Sequence, residues 1–285
     1  VSERELPSYF TPYPYVLRGY RTGLSPWQCV RSLCAWHNET LNVWTEVGPA
    51  VAFAPLVWDF LREPAVGALS AVDRALLATG LCVTLIVRPL CSAAAHLMFC
   101  AAGRRGYALW WSLDYVSICA AILAASLVSA RNAFYCEPSL AHLFFVCSSG
   151  LLCTSMVAVL CTASSGVRAA SFFLFVVFCN VVPLTYQLFS KLEGWYHNDA
   201  PWPYIHYWIA SLGTFLLGLI IKSTSVPEVF APGSFDRVGA SHQLWHVCIN
   251  AGFAMGTLVA WRIYAEWRAG VDCPVVPPLL HHIGG

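Results

Sequence analysis

Ser241-His242-Gln243-Leu244-Trp245-His246 opens the last long apolar stretch of the chain, residues 240–264. Two imidazoles four positions apart share one face of a helix. Their Cβ atoms then lie about 5–6 Å apart, near enough to share one metal ion. The surrounding residues are too hydrophobic for anything but a membrane span. A polar group held at that depth is costly, so it needs a partner or a function. The fold therefore turns on whether the rest of the chain supplies further spans and further ligands.

Composition answers the first part. Of 285 residues, 58% are hydrophobic and only 11% charged, and the mean hydropathy is +0.61. These values describe a multi-spanning membrane protein, not a soluble domain. A net charge of +1 with no long basic run excludes nucleic acid as a partner. A hydrocarbon core of about 30 Å needs about 20 apolar residues per helix. That ruler predicts seven spans, at about 41–61, 74–98, 107–129, 139–162, 167–189, 202–224 and 240–264.

The expected fold is an all-α integral membrane bundle of seven helices with an intramembrane zinc site. Residues 1–40 form an N-terminal segment, 41–264 the membrane domain and 265–285 a C-terminal tail. Within 1–40, residues 1–23 read as irregular. Leu24 to Trp36 reads as a short amphipathic helix on the membrane surface, with Ser25 as N-cap and Pro26 at its first position. No signal-peptide core precedes span one, which must act as its own insertion signal.

Lys and Arg number nine on the N-terminal side of the membrane and six on the other, with Arg88 inside span two. The excess predicts a cytoplasmic N-terminus and an external or lumenal C-terminus, in the plasma membrane or an endomembrane. Most of the 13 cysteines fall within apolar runs, where a free thiol behaves as a small hydrophobe. Cys136 and Cys273 fall on the side opposite the N-terminus, where a bridge could form.

Four polar residues then share one depth. His96 ends span two, Asp114 lies early in span three, and His242 and His246 begin span seven. All fall within about two helical turns, roughly 10 Å, of the same leaflet surface. Three neutral imidazoles plus a water make the open zinc site of hydrolytic enzymes, and a nearby carboxylate can orient or deprotonate that water. The competing reading makes each histidine a helix-packing hydrogen-bond partner. No Glu follows His242, so the pair is not the metalloprotease His-Glu-x-x-His.

Other polar residues read less sharply. Ser92, one turn before His96, either bonds a group in the site or bonds back to its own helix. Arg88-Pro89 is costly within span two and calls for Glu46, Asp59 or a path out to the interface. Pro183 predicts a kink in span five, and His206 an interfacial anchor. His37-Asn38-Glu39-Thr40, between Trp36 and Trp44, reads as a polar loop or cap before span one.

In order and spacing, several motifs resemble the progestin and adipoQ receptor family, which includes adiponectin receptors and haemolysin III-like proteins. They are His37-Asn38-Glu39-Thr40-Leu41-Asn42-Val43-Trp44-Thr45, Ser92-x-x-x-His96, Leu113-Asp114-Tyr115, Ala133-Phe134-Tyr135-Cys136, Pro227-Glu228, Pro232-Gly233 and Ser241-His242-Gln243-Leu244-Trp245-His246. The likeness runs from Gly19 to Cys273 and favours the adiponectin-receptor branch. It departs at Glu46, where a His is usual, at Val229, where an Arg is usual, and at Arg88.

The resemblance implies seven helices with the N-terminus inside, zinc on His96, His242 and His246, and Asp114 contacting the zinc-bound water. It implies a receptor in lipid-linked signalling, with zinc-dependent, ceramidase-like hydrolysis of a lipid amide as its chemistry. The implied partners are the bilayer, a ceramide-like or other lipid, an extracellular protein or steroid ligand, and a second copy of the chain. Short external loops leave little surface for a large protein hormone. The rivals are a lipid hydrolase without a signalling ligand and a bundle tied together by structural zinc. The absence of Asp-Arg-Tyr after span three, of Asn-Pro-x-x-Tyr and of a span-seven Lys argues against a rhodopsin-type receptor. A transporter would show internal repeats or broken helix pairs.

Overall fold

The computed structural model of the chain describes residues 1–101, 103–134, 137–161, 165–192, 202–259 and 261. Among these the protein is all helical, with two isolated bridges and no strand. Helix α1 spans Pro26–Arg31, α2 Thr40–Leu61, α3 Pro64–Gly67, α4 Ala71–Cys82 and α5 Arg88–Met98. The longer helices follow: α6 Arg104–Ala133, α7 Pro138–Cys161, α8 Ser165–Leu192, α9 Trp202–Thr224 and α10 Ser241–Phe253. Pro183 lies inside α8.

Among the described residues, four helical stretches are long and apolar enough to cross a membrane: Ala71–Met98, Arg104–Ala133, Pro138–Ala158 and His206–Thr224. The last three expose Leu109, Val157, Leu216 and Ile220, each about half exposed or more, as a lipid-facing surface would. His206 is exposed at the start of α9.

A π-helical turn, Val83–Val87, joins α4 to α5. Pro89 explains it: proline offers no N–H to the carbonyl four residues back and its ring crowds that carbonyl, so the chain widens locally. Helix α1 starts as the sequence suggests, with the Ser25 hydroxyl capping Gln28 N–H and Pro26 at the first position, but it ends after six residues in a 3₁₀ turn at Ser32–Cys34.

The chain divides into two compact units. The first comprises Val1–Leu56, Leu85–Ile118 and Ile209–Gly256. Here the N-terminal stretch, though irregular, is held in place. The Val1 ammonium donates to Tyr20 O at 2.8 Å, Leu17 N–H to Asp236 Oδ1 at 2.7 Å and Gly233 N–H to Tyr15 O at 3.0 Å. Gly19, at φ +86°, brings its carbonyl to Asn38 N–H at 3.0 Å, and a Cβ there would lie 3.3 Å from that same nitrogen. Helices α9 and α10 meet through small residues: a Cβ on Gly218 would lie 2.7 Å from Cys248 Cβ, and one on Gly252 2.4 Å from the Phe215 ring.

The second unit comprises Val57–Thr84, Cys119–Trp208 and Thr257–Gly285. Its core is aromatic, with Phe134, Phe144, Phe178 and Tyr186 packed together, and Phe144 stacks on Phe178 at 5.2 Å. Arg131 Nε donates to Asp73 Oδ1 at 2.7 Å. The eleven described cysteines with assigned state are free thiols. Cys136 and Cys273 lie outside the described residues.

Candidate metal centre

The first unit brings the predicted histidines together. His96, from the last turn of α5, meets His242 and His246 from the first two turns of α10. Their ring centroids stand 4.6–5.0 Å apart, and one ligand nitrogen from each lies within 4.8 Å of the others. His96 Nε2 is 3.3 Å from His242 Nε2 and 4.0 Å from Asp114 Oδ2 on α6. Ser92, 2% exposed, sits one turn before His96 on the same helix face.

Proton placement on two rings follows from their partners. His96 Nδ1 faces Glu39 Oε2 at 2.8 Å, and a carboxylate only accepts, so Nδ1 carries the hydrogen and, in the neutral ring, Nε2 keeps its lone pair. His246 Nδ1 faces the Asn42 carbonyl at 3.2 Å and is protonated for the same reason, with Thr45 Oγ1 also at 3.2 Å. His242 packs against the Tyr13 ring at 4.9 Å. The remaining nitrogens converge, and Asp114 Oδ1 beside them is buried without a hydrogen-bond partner. Inward lone pairs and an orphaned carboxylate oxygen are what a divalent cation with a bound water would satisfy, so these residues fit a metal.

Glu39 is the residue the sequence reading missed. His37, Asn38, Glu39 and Thr40 are each 3–6% exposed, so the stretch is no surface loop, although His37 and Thr40 do close a helix-starting turn. Trp36 and Trp44 beside it remain about half exposed. The readable signal was the polar stripe Glu39, Asn42, Thr45 and Glu46, recurring at helical spacing into an apolar span. Burial alone would raise the Glu39 carboxyl, but hydrogen bonds from His96 and Asn42 and the Arg21 charge hold it below the usual carboxylate range.

Arg88 resolves its own puzzle. Its Nη1 donates to both Glu46 oxygens at 3.1 and 3.2 Å, and Nη2 donates to Asn250 Oδ1 at 2.6 Å. Of the two partners open in the sequence, Glu46 is the one it takes.

The sequence profile described as haemolysin-III related matches residues 34–256, well over half of the chain. The chain belongs to that family. It is 27% identical over 274 residues to an uncharacterized protein of Schizosaccharomyces pombe, covering 94% of this chain and 61% of that protein. It is 25% identical over 312 residues to heptahelical transmembrane protein 3 of Arabidopsis thaliana, covering 94% and 88%. With progestin and adipoQ receptor family member 3 of Homo sapiens it shares 26% identity over 289 residues, covering 95% and 87%. This haemolysin-III related chain is thus a multi-pass membrane protein, and the resemblance read from its motifs holds.

Proposed function

We propose that the protein is an adiponectin-receptor-like membrane receptor in lipid-linked signalling that holds zinc on His96, His242 and His246 and hydrolyses a ceramide-like lipid amide. It crosses the membrane seven times with its N-terminus in the cytoplasm. The names of the progestin and adipoQ and heptahelical relatives support the class. The convergence of three imidazole nitrogens within 4.8 Å of one another, with Asp114 carrying a buried Oδ1 that has no hydrogen-bond partner, is the observation that carries the chemistry.

Bound zinc supplies Lewis-acid polarisation of the amide carbonyl and a water acidic enough to attack near neutral pH. Asp114, whose Oδ2 lies 4.0 Å from His96 Nε2, would be the group to hold a proton between the attacking water and the leaving amine nitrogen. Glu39 and the Asn42 carbonyl hold the rings of His96 and His246 in place throughout.

The test is metal content and sphingosine release by the detergent-purified chain. Wild type should carry one zinc per chain, and His242→Ala should carry none. Asp114→Asn should keep its zinc and lose about 10²–10⁴-fold in release, the usual size of a general acid–base contribution. Zinc binding with release unchanged in Asp114→Asn would mark a purely structural ion and overturn the hydrolytic reading.

A further inference from the structure

The three histidines are not supported alike. His246 leans on a backbone carbonyl and a hydroxyl, with Glu46 Oε1 farther off at 3.8 Å, and His242 on an aromatic ring, while His96 is directly hydrogen-bonded to a carboxylate at 2.8 Å. Glu39 is 3% exposed, and its hydrogen-bond partners are neutral amides and this imidazole. Asn38 Nδ2 donates to its Oε1 at 3.0 Å, and Asn42 Nδ2 donates to its Oε2 at 2.6 Å.

Its backbone is pinned as well. Glu39 N–H donates to His37 Nδ1 at 3.1 Å, and His37 Nε2 in turn donates to Ser32 O at 3.1 Å. Arg21 bonds the Ser32 hydroxyl and donates to the His96 carbonyl at 3.0 Å, tying this turn to the end of α5. A buried carboxylate so fixed, with no cation hydrogen-bonded to it, is matched to positive charge across the ring it touches.

We infer that Glu39 is a positioning residue that sets how tightly the three-histidine site holds its ion. The inference rests on the zinc reading above. An ionised carboxylate on Nδ1–H locks the tautomer, fixes the ring plane and enriches the lone pair on Nε2, which strengthens that nitrogen as a ligand. Glu39 and Asp114 together also neutralise a divalent charge that three neutral imidazoles cannot. The role differs from that of the Asn42 carbonyl on His246, which orients a ring without adding charge.

The test is zinc affinity of the full-length purified protein, by competition with a chromophoric chelator, together with the visible spectrum of the cobalt-loaded protein. Glu39→Gln keeps a hydrogen-bond acceptor and loses the charge. Its zinc affinity should fall about 10–100-fold, and its cobalt bands should shift. Glu39→Asp should fall between Gln and wild type. If Glu39→Gln fails to fold, the Asp variant carries the comparison alone.

A variant with wild-type affinity and an unaltered cobalt spectrum overturns the inference and leaves the zinc reading standing. A merely structural carboxylate would do this while lowering the melting temperature of the metal-free protein. Wild type that binds neither metal, or His242→Ala that binds both as well as wild type, overturns the zinc reading itself.

Discussion

Two buried polar groupings lie in the first unit, and they are built on opposite plans. Around Arg88 the charged groups pair with one another: the guanidinium spans Glu46 and Asn250, and Asn250 Nδ2 returns to Glu46 Oε2 at 3.0 Å, to the Thr45 carbonyl at 3.2 Å and to the His246 carbonyl at 2.9 Å. Phe253 lies beneath the guanidinium at 5.3 Å. Around His96 the bonds converge on Glu39, which accepts from Asn38, Asn42 and the ring Nδ1–H, while Nε2 faces only His242 Nε2 and Asp114. Asp114 Oδ1, Asn38 Oδ1 and Asn42 Oδ1 are left buried without partners. A closed network holds helices together, whereas an open one leaves capacity for something the chain does not itself provide.

Breaking the closed network should give the largest stability effect. Arg88→Ala strands Glu46 and Asn250 in the interior, and losing one member of a buried ion pair costs about 3–5 kcal/mol. Thermal unfolding followed by tryptophan fluorescence in detergent should show a large fall in midpoint. Replacing both partners, Arg88→Met with Glu46→Leu, should recover part of it. Zinc content in the surviving folded fraction should match wild type. Metal loss as severe as that of His242→Ala would merge the two networks into one and end the contrast.

The open network predicts a smaller, differently placed effect at its neutral arm. Thr45→Val removes the hydroxyl facing His246 Nδ1 and leaves the Asn42 carbonyl in place, with Glu46 Oε1 beyond it at 3.8 Å. The expected cost is about 1 kcal/mol, equivalent to less than tenfold in zinc affinity. Setting this beside Glu39→Gln sharpens the comparison, because the charged arm should matter more than the neutral one. Equal losses would mean that orientation alone counts and charge does not.

Much of this was legible in the residues, and the limits have physical causes. Apolar runs cut to the bilayer's length marked the helices, because a lipid solvent leaves a spanning backbone few options. His242 and His246 sit on one helix, and the depth of His96 and Asp114 could be counted from the ends of their runs. Glu39 escaped because a short polar motif before a helix satisfies local capping rules, while its burial depends on His96, 57 positions away. Arg88 demanded a partner, and counting residues could not choose between Glu46 and Asp59. Nothing in the order of residues places Tyr13 on His242, since an irregular segment carries no periodicity to orient it.

A change of pH again separates the two groupings. Burial, reinforced by the nearby Arg21 charge, lowers His37 to about 4 in the folded chain, against about 6.5 for a free imidazole. Between those values the unfolded chain binds a proton that the folded chain refuses. Stability is therefore highest above about pH 6.5 and declines as pH falls toward 4. The loss acts at the turn that pins Glu39, because His37 Nδ1 must stay unprotonated to accept the Glu39 N–H. The thermal midpoint should drop between pH 7 and pH 5 in wild type and drop less in His37→Gln, whose side chain has no proton to gain. His37 bonds Ser32, Thr40 and Glu39 and none of the Arg88 grouping, so Arg88→Ala should show the wild-type pH dependence on a lowered baseline. An identical pH-dependent drop in His37→Gln would move the sensitivity elsewhere and remove His37 from the support of Glu39.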